Sequence, residues 1–182
     1  VVVITQKDNF FIPKNIEKII KNNSRDINLK GVSVIESKGA LNSKKLYFLK
    51  GFGFLQSLKY ALLLIFQMLK NLIDKIFLYK IFNGNKSIKS ICSKNNVKYL
   101  KIMNPNSKHY IEYLKSNNID LVISFSAPII FKEKLLKTPK YGCINLHCSL
   151  LPKYSGLMPS FWTLYKDENF TGVSIHYMDT EI

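Results

Sequence analysis

The sequence predicts an α/β fold, a mostly parallel sheet with helices on both faces. Three observations carry that reading. Short runs of β-branched and other apolar residues recur along the chain, as strands buried on both faces require. They alternate with segments whose apolar residues fall three or four apart, the spacing of one helical face. The 182 residues, 47% hydrophobic and 21% charged, are enough to bury the core of one domain. The same figures exclude a collagen-like, low-complexity or disordered chain.

The elements follow in order. Val1-Val2-Val3-Ile4-Thr5 is a first strand, and a polar turn, Gln6 to Asn9, follows it. Pro13 suits a first helical turn, and Ile16, Ile19 and Ile20 share a face, so a helix is expected over about 13–22. Gly31 to Ile35 reads as a second strand, making a strand–helix–strand opening. Residues 37–54, with Gly39, Gly51 and Gly53, read as loop. Leu55 to Phe82 is the most apolar stretch. Its longest uncharged piece, Tyr60 to Leu69, lies between Lys59 and Lys70 and has ten residues, against the roughly 20 that cross a bilayer. No transmembrane segment is therefore expected. The stretch reads as a long or broken helix packed on the sheet, with a helix lying in a membrane interface as the alternative. Residues 86–95 suit a short helix and Val97 to Met103 a third strand. Tyr110, Ile111 and Leu114 mark a helix ending at Asn117-Asn118. Asp120 opens the strand Leu121 to Phe125, and the chain turns at Pro128. Lys132 to Leu136 is a short helix, Gly142 to His147 a strand with a polar far end, and Pro159 to about Lys166 a helix. Thr171 to Met178 is the last strand. The sequence shows no internal repeat.

The net charge of +15 suggests an anionic partner: nucleic acid, a membrane surface or a phosphorylated substrate. The kind of base tempers this. Of the 27 basic residues only Arg25 is arginine, and arginine is the residue suited to bidentate phosphate and base recognition. Scattered lysines read first as a solvated surface. Cys92, Cys143 and Cys148 are odd in number and lack metal-ligand spacing, so neither a disulfide framework nor a metal site is expected, and a reducing, cytoplasmic setting is. Beginning at Val1, without a signal peptide, the sequence is expected to lack its initiator methionine.

In parallel α/β sheets the working residues gather beyond the carboxyl ends of the strands. That singles out Gln6 to Asn9, Ser126 to Ile130 and Asn145 to Ser149. Asn145 and His147 are two apart on one strand, so their side chains point the same way. An amide can donate to a developing oxyanion, and an imidazole can donate beside it or move a proton. Alone, such a pair reads equally well as a capped strand end. The longer run Asn145-Leu146-His147-Cys148-Ser149-Leu150-Leu151-Pro152-Lys153-Tyr154-Ser155-Gly156 resembles the N-x-H-x-S-L-L-P-x-[YFW]-x-G signature of the folate-dependent formyltransferases. These include methionyl-tRNA, glycinamide ribonucleotide and amino-sugar N-formyltransferases. Asp120 to Ile130 is similar to that family's strand and loop beside the pterin. Thr171 to Asp179 is similar to its T-G-V-[ST]-[IV]-x-x-[MV]-D strand. The resemblance covers about residues 97–182, and the first 95 match only in outline.

What the resemblance implies is a Rossmann-like catalytic domain that moves a formyl group from 10-formyltetrahydrofolate to an amine. Asn145 and His147 match the first two members of the family's Asn-His-Asp trio and would stabilise a tetrahedral oxyanion. The aspartate, which would hold His147 protonated, is expected one place beyond Ile182. Residues 1–182 are accordingly expected to be one catalytic domain, incomplete at its carboxyl end and inactive alone. Ser126, Ala127, Pro128, Ile129 and Ile130 would line the pterin pocket. Met178, Asp179, Thr180, Glu181 and Ile182 would begin the loop over the folate, while Ser149, Gln6 and Asn9 would face substrate. No metal is required. Cys148, as a thiol nucleophile, would have no part in the reaction. His109 reads as solvated, and His176 as either structural or in touch with a ligand.

The acceptor is read from departures. Ser155-Gly156-Leu157-Met158-Pro159-Ser160 stands where tRNA-directed enzymes carry R-G-A-A-P-I. Thr5-Gln6-Lys7-Asp8-Asn9 replaces their G-T-P-x-F, and the glycine-rich phosphate loop of the purine enzymes is missing. The expected acceptor is an amino sugar on a nucleotide carrier, with tRNA second and another amine third. Phe161 and Trp162 would stack on a base or sugar, or form helix core. A non-catalytic module that binds folate or a partner is the alternative from another class.

Overall fold

The structure is a computed structural model that describes residues 1–8, 11–22, 27–36, 53–77 (apart from 60, 64, 67, 71, 74 and 75) and 87–180. Among these the strands are β1 (Val2–Gln6), β2 (Gly31–Ile35), β3 (Lys98–Ile102), β4 (Val122–Phe125), β5 (Cys143–His147) and β6 (Ser174–Tyr177). The helices are α1 (Ile12–Lys21), α2 (Ile88–Lys94), α3 (Lys108–Ser116), α4 (Glu133–Leu136) and α5 (Pro159–Tyr165). Each lies where the sequence predicts it, with bounds shifted by a few residues. The described residues between 53 and 76 are helical as well. Of the loop expected over 37–54, residues 37–52 lie outside the described residues, while Gly53 and Phe54 are helical rather than loop. The chain divides into two compact units: Val1–Lys7 with Ile19–Glu36 and Cys92–Ile182, and Asp8–Lys18 with Ser37–Ile91.

In the first unit the strands form one sheet in the order β3-β2-β1-β4-β5-β6. All pairs are parallel except β5 with β6. This is the expected Rossmann-like, mostly parallel architecture. The chain winds outward in both directions from the β1–β4 pair, which places a switch point, the usual location of a ligand crevice, at their carboxyl ends.

Burial explains the composition of the strands. Val2 and Ile4 on one face of β1, and Val3 and Thr5 on the other, are all fully buried, as are Val32, Ser33 and Val34 of β2. A strand shielded on both faces cannot alternate apolar with polar residues. One face carries Val2, Ile4, Ile35, Val122 and Cys143, packed with Tyr110 and Leu114 of α3 and with Leu135 and Leu136 of α4. α3 starts where the Ser107 hydroxyl accepts from the Tyr110 amide, the N-cap geometry that satisfies an otherwise orphan donor. Gly142 holds φ at +71°, a left-handed turn that glycine reaches without steric cost, just before β5 begins. In the second unit, Asp8 Oδ1 accepts from the Phe11 and Ile12 amides at 2.6 and 2.9 Å and so caps α1.

In the sheet core the Tyr110 hydroxyl donates to Ser33 Oγ at 2.7 Å, and the Cys143 thiol donates to the Leu135 carbonyl at 3.9 Å. Burial raises the Tyr110 pKa above the ordinary phenol value and pushes the Cys143 thiol up to about 12 and Cys92 to about 11. These groups are held protonated in the fold. Their contribution to stability is complete below the ordinary thiol value of 9.0 and phenol value of 10.0, and it is lost as pH rises through the folded values. Tyr110→Phe is expected to cost about 1–2 kcal/mol near neutral pH, because it strands the buried Ser33 hydroxyl. It should also flatten the loss of stability above about pH 10. Urea midpoints at the two pH values check both effects, and an unchanged midpoint at neutral pH would contradict the first.

Candidate active site

The site is built from the carboxyl ends of β1, β4 and β5. Thr5 pairs with Phe125, and Phe125 pairs with Leu146. One step further along the strands, Gln6, Ser126 and His147 therefore stand in one row. Asn145, one step back, pairs with Ser124 on β4 and with His176 on β6. Side chains alternate along a strand, so Cys143, Asn145 and His147 share a face. Cys143 is the buried end of that series, and Asn145 and His147 are half-buried.

Hydrogen bonds fix both side chains. His147 Nε2 lies 2.7 Å from the Tyr154 carbonyl. A carbonyl only accepts, so Nε2 carries the proton and a neutral ring leaves Nδ1 as an acceptor. Asn145 Nδ2 lies 3.3 Å from His176 Nε2, and His176 Nδ1 lies 2.9 Å from the Tyr177 carbonyl. The carbonyl again assigns the donor, Nδ1. His176 Nε2 in the neutral ring then accepts from the Asn145 amide, which keeps a second N–H to give.

The loop after β5 is tied down by its own polar groups. Ser149 is buried and its hydroxyl donates to the Lys153 carbonyl at 2.8 Å. Ser174 Oγ donates to the Ser149 carbonyl at 2.8 Å and accepts from the Leu151 amide at 3.0 Å. The Tyr154 hydroxyl donates to Glu168 at 2.7 Å, and Lys153 Nζ donates to the same carboxylate at 3.1 Å. Those two bonds lower the Glu168 pKa, and the bond to Glu168 raises that of Tyr154. Glu168 thus steadies the residue whose carbonyl orients His147.

The loop after β4 is braced by Asn106. Its Nδ2 donates to the Ile130 carbonyl at 2.9 Å, and its Oδ1 accepts from the Lys132 amide at 2.8 Å. Ala127 and Ile129 of this loop, together with Met178 after β6, pack against the sheet core. Ser126, Pro128 and Ile130 are exposed. Backbone strain gathers here too. Among the described non-glycine residues with positive φ, Asn96, Asn118 and Asp167 are types that tolerate it. Ser126, Tyr154 and Met158 are not, and all three lie in the loops flanking Asn145 and His147. Strained residues of this kind mark places where the surroundings over-determine the backbone.

The structure therefore brings together Asn145, His147, Gln6 and Ser126 along the strand ends, and it joins Ala127, Ile129 and Met178 to one core. Asp179 and Thr180 are exposed just beyond β6. Asn9, Glu181 and Ile182 lie outside the described residues. The hydroxyl of Ser149 is turned into its own loop. Phe161 and Trp162 are not core: Trp162 is 42% exposed, and with Tyr165 the two form a surface cluster with ring centroids 5.3–5.9 Å apart. His109 is exposed, as expected. Sequence reasoning left the role of His176 open and missed Asn106 and Glu168, whose partners are distant in sequence.

Residues 83–182 match the Formyl transferase family. Over 96 residues the chain is 36% identical to a methionyl-tRNA formyltransferase of Clostridioides difficile (strain 630); the match covers 53% of this chain and 31% of that one. Over 103 residues it is 43% identical to the bifunctional polymyxin resistance protein ArnA of Wigglesworthia glossinidia brevipalpis, covering 57% of this chain and 15% of that one. The matches thus span a third or less of these curated relatives. Among solved structures, phosphoribosylglycinamide formyltransferase from Anaplasma phagocytophilum superposes with a TM-score of 0.62 at 16% identity, covering 100% of this chain and 65% of that one. A formyltetrahydrofolate deformylase from Pseudomonas syringae pv. tomato gives 0.60 at 13%, covering 100% and 46%. Those two show the fold. With the family match taking in more than half of its residues, the chain belongs to the formyl transferase family.

Proposed function

We propose that the protein transfers a formyl group from 10-formyltetrahydrofolate to an amine in the cytoplasm, and that the favoured acceptor is the amino group of a nucleotide-linked sugar. The observation that carries the transfer is the placement of Asn145 and His147 on one face at the end of β5, in the row that continues into the loop after β4. The second N–H of Asn145 would donate to the charge growing on the formyl oxygen, a contribution of about 10²–10³ in rate for such a donor. His147, held through Nε2–H, offers Nδ1 to take or return the proton of the attacking amine. His176 would aim the Asn145 amide.

The donor fits the residues at hand. Ala127, Ile129 and Met178 give an apolar wall backed by the core. The loop from Ser126 to Ile130, left-handed at Ser126 and braced by Asn106, would present backbone groups to a flat, polar-edged heterocycle, with Met178, Asp179 and Thr180 beginning its cover. The folate would supply a carbonyl carbon already activated for attack. For the acceptor, support comes from the Phe161–Trp162–Tyr165 cluster, in which Trp162 and Tyr165 are exposed and offer aromatic surface suited to stacking on a base or sugar. Gln6, at the end of β1, would be a polar contact for the acceptor. Methionyl-tRNA is the second reading, since proteins of that name are among the relatives. A module that binds folate without catalysis is the third.

The full gene product is the material for the tests. Asn145→Ala and His147→Ala should each lower kcat by about 10²–10³, with KM little changed, in a tetrahydrofolate-release assay. Absence of turnover in the unsubstituted protein with every amine acceptor, alongside retained folate binding, would favour the module. His176→Leu should cost about tenfold in kcat, the worth of one hydrogen bond, while His176→Gln, which keeps an acceptor near the same place, recovers most of it. A loss shared equally by both variants would contradict the aiming role. Finally, kcat/KM for a nucleotide-linked amino sugar should exceed that for initiator methionyl-tRNA. The opposite order would establish tRNA as the acceptor.

A further inference from the structure

The ring of His147 takes its orientation from the Tyr154 carbonyl, and the direction of that carbonyl follows from the backbone of Tyr154. That residue holds φ at +55°, in the left-handed region that an ordinary side chain disfavours. Relaxation to the right-handed or extended region would turn the carbonyl away from His147 Nε2. The surroundings therefore have to keep Tyr154 where it is.

Within the loop, the Ser149 hydroxyl reaches the Tyr154 carbonyl at only 3.4 Å, its shorter bond being to Lys153. A contact of that length is a weak restraint. The firmer hold comes from the other end of the residue. The Tyr154 phenol donates to Glu168 Oε1 at 2.7 Å, across fourteen positions of sequence. The Glu168 amide in turn donates to the Thr163 carbonyl of α5 at 3.1 Å. The carboxylate thus ties the loop to the end of a helix. A charge-assisted hydrogen bond is worth as much as the strain of a left-handed residue, or more, so this bond is strong enough to decide the conformation of Tyr154. Lys153 Nζ meets the same carboxylate at 3.1 and 3.3 Å. Its side chain is 67% exposed, against 28% for Glu168, and an ion pair so exposed contributes little. The phenol is the link that matters.

We infer that Glu168 is a positioning residue, acting through the Tyr154 phenol to fix the carbonyl that holds His147 Nε2–H and leaves Nδ1 to accept a proton. Its kinetic consequence rests on the formyl-transfer reading; the state of the His147 ring does not. Both are measured on the full gene product. In Glu168→Ala, kcat for tetrahydrofolate release should fall about tenfold with KM unchanged. Glu168→Gln keeps an oxygen acceptor for the phenol and should recover most of the rate. Tyr154→Phe removes the hydroxyl and leaves the carbonyl, and it should match Glu168→Ala. The double variant should be no slower than either, as for residues that act through one bond. Lys153→Ala should cost less than about twofold.

Proton–nitrogen correlation spectra of the neutral imidazole supply a readout that needs no turnover. His147 should be a single tautomer, protonated at Nε2, in the unsubstituted protein and in Glu168→Gln. It should be a mixture of both tautomers in Glu168→Ala and Tyr154→Phe. Should Glu168→Ala fail to fold, Tyr154→Phe, which loses a single oxygen atom, decides the same question. Additive losses in the double variant, a loss in Glu168→Ala confined to KM, or a tautomer that Tyr154→Phe leaves unchanged would each overturn the inference. If no amine is formylated, the tautomer change alone upholds the positioning role and its absence refutes it, so the two failures are told apart.

Discussion

The register of β1, β4 and β5 is the constraint on which the site depends. Parallel pairing of Thr5 with Phe125 and of Phe125 with Leu146 brings three distant segments to a common edge. Side chains alternate with a period of two, so a slip of one residue would turn every side chain of a strand to the opposite face. On β5 that slip would swing Asn145 and His147 away and bring the buried Cys143 out with them. The apolar packing of Val2, Ile4, Val122 and Cys143 with α3 and α4 therefore does more than stabilise the sheet. It determines which way the amide and the imidazole point.

Beyond the strand ends no ladder remains to satisfy the backbone, and polar groups there still need partners. Side chains supply them. Asn106 closes the loop after β4 with two bonds, and Ser149 and Ser174 close the loop after β5 with three. The carbonyl of Tyr154, in a left-handed residue, accepts from His147 Nε2 at 2.7 Å and, at 3.4 Å, from the Ser149 hydroxyl of the same loop. Left-handed backbone costs an ordinary residue roughly 1–2 kcal/mol, so Tyr154 is held by its surroundings, Glu168 among them. Orientation of His147 is thus a property of the loop as a whole.

The strands were legible because burial on both faces forces apolar, β-branched runs, and Val1-Val2-Val3-Ile4 carries that signal without interruption. Asn145 and His147 were legible because two positions on one strand share a face whatever else the fold does. Asn106, Glu168 and the aiming contact of His176 were not. Each depends on a partner brought close by the sheet from 14 to 31 residues away, and nothing in the local pattern announces such a meeting.

The lysine surplus has to be read locally. At the outer edge of the sheet, Lys98 and Lys101 of β3 are exposed, and Lys101 pairs with Glu36 at 2.6 Å. Charges on an edge strand keep further strands from pairing with it, so those lysines are explained by the fold itself and call for no partner. Arginine would suit a ligand of defined geometry, with its rigid fork of donors. The near-absence of arginine therefore weakens the nucleic-acid reading of a charge of +15.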